Sequence, residues 1–430
     1  MRRNTRRTLV ATAIVAATAM VALTGCSKGG GGAGGSNGDL VMWTHNAGNK
    51  AELGAVQKIV DDFNKSQTTY KVKVQAFPQD SYNQSVTAAA ASKKLPCILD
   101  IDAPNVPNWV WAGYLSPLTG LDAQLKGFLP STVGKYDGKT YSYGFYDVAL
   151  NLITKKSTLD EVGVRIPTID QPWTKTEFDD LLAKLKASGT FSYAADFMTS
   201  STGEWWPYAY SPLLQSFGGD LIDRDGYKTA DGALNGSDAI AWAKWFRGLV
   251  SDGYIAAKSG TDPAADFANG KTGILYDGSW AADTLRQKFG DDVLFLPPVD
   301  FGNGPKIGGG SWQWGVSKTC SNQEGALAYM KFATADKYVA GVAKAAGTIP
   351  ATEGAAALVP GYGEGGDNAI FREYSKKFAE VRPVTPGYPF IATTFTKAAQ
   401  DIINGADPKS TLDQAVKDID ANQKSNNYFK

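Results

Sequence analysis

Residues 39–76 read DLVMWTHNAGNKAELGAVQKIVDDFNKSQTTYKVKVQA, and their periodicity decides the fold class. Residues 40–43 are a short apolar run. Leu53, Val56, Val60 and Phe63 then fall on one helical face, and Val72, Val74 and Ala76 alternate as a strand does. A strand, a helix and a strand in so short a span imply a parallel βαβ unit, which is right-handed because only that crossover packs back onto a twisted sheet. A helix over residues 81–92 and a buried strand over 97–101 extend the pattern, and Pro104 and Pro107 are expected to break the chain after it. This is an α/β protein with an open sheet. Ligands of such sheets bind beyond the carboxyl ends of the strands, which nominates the loops at residues 43–46 and 102–105.

The chain is too long for one such unit. Without its first 25 residues it has 405, more than a single hydrophobic core usually supports, so two lobes are expected. Residues 142–155 are extended in character. Pro167, Pro172 and Trp173 precede a helix capped by Thr174 or Thr176 with Glu177 behind it. A helix over 237–251 places Trp242, Ala243, Phe246, Leu249 and Val250 on one stripe, so Trp242 reads as core. Residues 293–298 and 312–317 look like strands joined by a close-approach loop at Gly308, Gly309 and Gly310, returning the chain to the first lobe. Helical periodicity resumes beyond Tyr362, through 371–378 and 395–403, and no internal repeat is evident.

Ahead of the folded part, Arg2, Arg3, Arg6 and Arg7 precede an apolar stretch over residues 9–23, closed by Leu23-Thr24-Gly25-Cys26. A charged start, an apolar segment too short for a mature span and a small-residue cleavage site define a secretory signal. A cysteine just after the cut resembles the lipobox at which a diacylglyceryl group is attached. The mature chain is then expected to start at Cys26, outside the membrane, with residues 27–38 as a flexible Gly/Ser tether. The alternative is an uncleaved anchor helix with an incidental cysteine. Removing the signal leaves 39 basic against 43 acidic side chains, a net charge of −4, which offers nothing to nucleic acid.

His45 is the chain's only histidine. No Ser-His-Asp or Cys-His triad has a second partner to draw on, and no multi-histidine zinc site can be built. A polar rim role for His45 is weighed against a metal role and preferred. The string at residues 361–366 satisfies a dinucleotide-binding pattern on letters alone, but no strand precedes it, so it reads as a loop. Asp223-Arg224-Asp225-Gly226 lacks the further oxygen ligands of a calcium loop and reads as a turn. No metal or cofactor is expected. Eleven Trp, 19 Tyr and 19 Phe exceed what packing alone usually recruits, and many sit in Gly- or Pro-punctuated segments. Trp205 and Trp206 adjoin Glu204, Trp280 follows Asp277, and Trp312 and Trp314 follow three glycines. Flat aromatic faces beside carboxylates suit the apolar faces and hydroxyls of a sugar. Asp102, Asp147, Glu204 and Asp277 could also supply the two carboxylates of a glycosidase, and their separations are not legible from sequence.

Taken together, these features resemble the substrate-binding lipoproteins of carbohydrate-type ABC importers, the extracellular solute-binding proteins of the maltose-binding type. The resemblance covers essentially the whole mature chain. It rests on Leu95-Pro96-Cys97-Ile98-Leu99-Asp100, Ala103-Pro104-Asn105-Val106, Trp111-Ala112-Gly113-Tyr114-Leu115, Leu214-Gln215-Ser216-Phe217-Gly218-Gly219-Asp220, Asn269-Gly270-Lys271, Gly309-Gly310-Ser311-Trp312 and Ile349-Pro350-Ala351-Thr352. The lipobox and glycine-rich tether are typical of Gram-positive members, and the arginine-rich start of actinobacterial ones. The resemblance implies two α/β lobes, residues 39–146 with 312–355 and residues 147–311 with 356–430, joined by hinge crossings and enclosing the ligand. It places the pocket at Trp43, His45, Asp80, Tyr82, Asp102, Asn105, Asp147, Trp280 and Trp312 with the adjoining Gly310 and Ser311, and further at Glu204, Trp205, Arg382 and Tyr388; Asp277 joins as a candidate acceptor. It implies a monomeric binder, not an enzyme, whose partners are a saccharide, the importer's permease and, through lipidated Cys26, the outer face of the cell membrane. Two other readings stay open at this point: a secreted glycoside hydrolase, and a lipoprotein for peptides or polyamines. Where the family often carries Asp, this chain has Cys97. Once Cys26 is acylated, Cys97 and Cys320 are the two thiols left on an oxidising surface. They are expected to pair, pinning two segments of one lobe, against the alternative that both are small buried hydrophobes that never meet.

Overall fold

The computed structural model describes residues 39–430; the signal segment, Cys26 and the tether lie outside the described residues. The βαβ unit forms as its periodicity predicts. Strand β1 (Asp39–Thr44), helix α1 (Lys50–Ser66) and strand β2 (Lys71–Ala76) follow in order, with β1 and β2 parallel. Asn49 caps α1 by accepting from the Glu52 amide, a contact typically worth about 1 kcal/mol. Helix α2 (Gln79–Ala91) leads to β3 (Ile98–Asp102), which lies parallel to the other side of β1 and is buried along its whole length. A strand buried on both faces needs a neighbour on each edge. The chain supplies the second from far away: Trp312–Ser317 runs antiparallel to β3 and also pairs with Lys139–Tyr143.

Residues 312–317 thus sit in the middle of a seven-stranded sheet otherwise built from residues 39–143. Val293–Leu296 does not join them. It lies at the edge of a second, four-stranded sheet with Leu150–Lys155, Thr272–Gly278 and Tyr193–Asp196, so of the two strands expected to return only the later one does. Two short ladders lie between the bodies. Tyr146–Asp147 pairs with Ile349–Pro350, and Ile307–Gly309 pairs with Ala379–Val381. Pro104 and Pro107 do not break the chain. Each sits in the first turn of a helical segment, Ala103–Asn105 and Val106–Trp111, where its missing N–H would have had no partner anyway.

Thr174 caps the helix Lys175–Ser188 in a reciprocal capping box with Glu177. On Ser237–Ser251, Trp242 is fully buried and stacks on Phe246 and Phe395 with centroids 5.3 and 5.5 Å away. Among the described residues no helix is long and apolar enough to cross a membrane.

Cys97 and Cys320, 223 positions apart, are joined by a disulfide beside the ladder of β3 with residues 312–317. The Ser317 amide donates to the Cys97 carbonyl at 2.9 Å. Closing so long a loop constrains the unfolded chain by about 5 kcal/mol as an upper figure. Replacing both residues by serine should therefore lower the unfolding free energy by several kcal/mol in a urea titration. Thiol titration of denatured, unreduced protein made without Cys26 should find no reactive thiol; finding two would refute the bridge.

Candidate functional site

The rim at the carboxyl ends of β1 and β3 is where the sheet leaves backbone and side chains free to meet a ligand. His45, expected there as an exposed polar group, is 4 % exposed and packed beneath it. Its Nδ1 lies 2.6 Å from Asp100 Oδ2, which also accepts from Thr44 Oγ1 at 3.1 Å. Its ring stacks on Trp312 at 3.8 Å and 10°. Burial would lower the imidazole pKa, but Asp100, then Glu52 and Asp102, outweigh it and the net shift is upward. Glu52 Oε1 lies 4.0 Å from His45 Nε2 and accepts from the Tyr146 hydroxyl at 2.9 Å; burial raises its carboxyl. Above this buried pair a cavity of about 310 Å³ is lined by His45, Asn46, Asn49, Glu52, Gln79 and the exposed Asp80. Trp312 stays half-buried, one face on His45 and its edge on Tyr82. Trp43 turns the other way, packing on Phe77 at 4.6 Å in a satellite core; it does not line that cavity.

Asp102, Glu204 and the neighbouring Arg382 and Tyr388 are brought together from three separate stretches of chain. Arg382 Nη2 donates to Asp102 Oδ1 at 3.2 Å and Nη1 to Glu204 Oε2 at 2.7 Å. The Tyr388 hydroxyl donates to the same Glu204 oxygen at 2.5 Å. Asp102 ends β3 in the seven-stranded sheet, whereas Glu204 follows the strand Tyr193–Asp196 of the other sheet, so one guanidinium ties the two bodies. Burial alone would lower the Arg382 pKa, yet Asp102, then Tyr388 and Glu204, raise it. The Glu204 carboxyl is raised by burial, with Arg382 opposing. Tyr208 lies with its ring 5.3 Å from the guanidinium. It belongs to a π-helical turn, Trp206–Tyr210, of a kind frequent at functional sites.

Asp147 does not present itself to the cleft. It is fully buried, and its carboxylate accepts from Ser131 Oγ at 2.8 Å, Ser375 Oγ at 2.6 Å, the Gly310 amide at 3.1 Å and the Val148 amide at 2.9 Å. Its place is that of a fastening between crossing segments. Gly310 can serve it because its φ of +88° is open to glycine. At Gly308 a Cβ would lie 2.4 Å from the Tyr208 carbonyl, so the expected close approach is real and is made to the π-helical turn. Ser311 is buried, its carbonyl accepting from Ala103 at 3.1 Å. Asn105 is buried on the turn after Asp102.

On the second body, Trp205 and Trp280 are half-buried and meet edge to face at 6.4 Å. Trp206 is core, its indole N–H donating to the Ser201 carbonyl. Asp277 is 3 % exposed on a strand opposite Asn151. Sequence reasoning missed Asp100, Glu52 and Tyr208. The run Trp205-Trp206-Pro207-Tyr208 carried the signal for the last, since a proline amid aromatics marks irregular helix. Among the described residues no group of His, Cys, Asp and Glu could hold a metal ion.

Burial pushes the Asp277 carboxyl up to about 7. The folded protein therefore holds this proton more tightly than the unfolded chain, and stability falls as pH rises from about 4, the ordinary aspartate value, toward 7. The full swing is on the order of 4 kcal/mol at most, at 1.36 kcal/mol per pKa unit. Asp277→Asn mimics the protonated form, so in urea unfolding it should match wild type near pH 4 and exceed it at pH 8. A variant less stable than wild type at pH 8 contradicts this.

Residues 58–365 match the family of bacterial extracellular solute-binding proteins. The diacetylchitobiose binding protein DasA of Streptomyces coelicolor is 24 % identical over 348 residues, 76 % of this chain and 79 % of that protein. The sn-glycerol-3-phosphate-binding periplasmic protein UgpB of Rhizobium meliloti is 24 % identical over 340 residues, 73 % of this chain and 75 % of its own. In three dimensions the chain resembles the GacH receptor of Streptomyces glaucescens, with a TM-score of 0.73 and 21 % identity over 90 % of this chain and 98 % of that one. It also resembles the sugar-binding protein MalE of Xanthomonas citri, with a TM-score of 0.75 and 15 % identity over 91 % and 98 %. Those likenesses establish the two-lobed architecture. With the family match spanning most of the folded part, this chain is a member of the bacterial extracellular solute-binding proteins.

Proposed function

We propose that the protein captures a mono- or oligosaccharide between its lobes and delivers it to the permease of an ABC importer, as a monomer lipid-anchored through Cys26 on the outer face of the cell membrane. The observation that carries this is the joint site. Half-buried indoles stand on both bodies, Trp312 on one and Trp205 and Trp280 on the other, around a charged cluster with members from each. A ligand meeting both bodies favours their closed arrangement by its differential affinity for it. DasA and the structural relatives named for sugars support the ligand class. No enzymatic activity is assigned. Asp102 and Glu204 are both bonded to one guanidinium and Asp147 is enclosed by donors, an arrangement that leaves none of the three poised as a hydrolase acid or nucleophile.

A thermal-shift screen against mono- and oligosaccharides, followed by product analysis, tests the reading. Ligand recovered intact with a raised melting temperature is expected; cleaved oligosaccharide would sink it. Covering roughly 100 Å² of an indole face at about 25 cal/mol per Å² is worth about 2 kcal/mol. Trp312→Ala, checked for folding by circular dichroism, should accordingly weaken the responding sugar at least tenfold. Unchanged affinity would place the sugar elsewhere.

A further inference from the structure

Three buried donors near the charged cluster have no acceptor in the protein: Asn105 Nδ2, the Tyr208 hydroxyl and Arg382 Nε. Their residues are 6 %, 8 % and 7 % exposed. All three belong to residues tied to that cluster. Asn105 ends the turn that begins at Asp102, Asp102 receives Arg382, and the Arg382 guanidinium lies over the Tyr208 ring. An unpaired buried polar group is costly, so an oxygen supplied here by a ligand gains more than one supplied to a solvated donor.

The charge of that oxygen is the informative part. Arg382 is the cation of the cluster, and two carboxylates, Asp102 and Glu204, already oppose it. Burial raises the Tyr208 hydroxyl's pKa, and the negative charges of Asp147 and Asp277 add to that shift. The cavity beside His45 adds Glu52 and Asp80 and no lysine or arginine, and His45 itself is matched by Asp100. A phosphate or carboxylate would meet a wall of negative balance. A hydroxyl, ring ether or amide carbonyl would fill such a donor and carry no charge into the site.

Resting on the sugar-binding reading above, we propose that this cleft selects saccharides that are uncharged where they meet Arg382 and rejects phosphorylated or carboxylated ones, with Asp102 and Glu204 setting that choice by saturating the guanidinium. The carboxylates are then specificity residues as much as hydroxyl acceptors. Released from them, the planar fork of Arg382 would suit phosphate or carboxylate.

The test titrates the intact mature domain with neutral probes, maltotriose and diacetylchitobiose within a wider panel of uncharged sugars, and with anionic ones, sn-glycerol 3-phosphate, glucose 6-phosphate and glucuronate. Wild type should respond to a neutral probe and bind every anionic probe at least a hundredfold more weakly. Asp102→Asn combined with Glu204→Gln should strengthen binding of at least one anionic probe tenfold or more. Glu204→Gln alone, which keeps the acceptor for Tyr388, should show a smaller gain in the same direction if the double variant does not fold. An anionic sugar binding wild type as tightly as the best neutral one overturns this inference and leaves the sugar-binding function standing, and so does the absence of any gain in both variants. No response to any saccharide in the panel overturns both.

Discussion

Arg382 is the group on which the arrangement of the cleft depends. A guanidinium taken out of water is tolerated only where carboxylates and further hydrogen bonds replace its hydration. Here those carboxylates come from different bodies, Asp102 at the end of a central strand and Glu204 ahead of the π-helical turn. The requirement to satisfy one buried cation therefore fixes how far apart the two bodies stand at this point. Removing one carboxylate by truncation would leave a charge imperfectly paired, which is why buried pairs typically cost several kcal/mol to break even when they add little net stability. Tyr388 adds a second donor to the shared Glu204 oxygen.

Asp147 plays the corresponding part behind the cleft. Its carboxylate gathers Ser131, Gly310 and Ser375, residues that stand far apart in the chain. The flanking ladder of residues 146–147 with Ile349–Pro350 holds the same crossing by backbone bonds. The ties between the bodies are these short ladders, the Asp147 carboxylate and the Arg382 ion pairs, whereas each body's own sheet is continuous. On the proposed reading, closure over a ligand would turn at these crossings.

How much of this was legible follows from what periodicity encodes. The βαβ unit and the Trp242 helix were readable because one-sided burial writes a period of two or 3.6 into the sequence. The return of residues 312–317 was readable because a short apolar, glycine-led strand must find a sheet. That residues 293–296 stayed with the other sheet was not, since an isolated apolar strand carries no address. The individual tryptophans were ambiguous for the same reason. Trp206 and Trp205 are adjacent and alike in letters, yet one is core and the other half-buried, because neighbouring residues on a helical stretch point to different sides. His45, which lines the rim cavity while paired to Asp100, and Asp147, enclosed by donors, could not be told apart in sequence, because a polar letter announces the need for partners without saying whether protein or ligand supplies them. The pairs that matter most, His45 with Asp100 and Arg382 with Asp102 and Glu204, join positions 55, 280 and 178 apart. No local pattern reaches that far.

The energetic character of the site follows from the same partition. Stacking on indoles is broad and forgiving, about 2 kcal/mol for each half-covered face, and accepts any sugar with an apolar face. Filling a buried, unpaired donor is narrow, because its value is lost when the oxygen is displaced. On the proposed reading, two stacks and two or three filled donors, less the cost of association, would reach the roughly −8 kcal/mol of a micromolar complex. Part of that energy is held in closing the lobes. On the proposed reading, affinity would reside mainly in the tryptophans, and discrimination in Arg382 together with the Asp102 and Glu204 that oppose its charge. The two properties would be separable where the indole faces and the cluster stand on different residues, although Trp312 is the ladder partner of Asp102 and Trp205 directly precedes the turn that carries Tyr208.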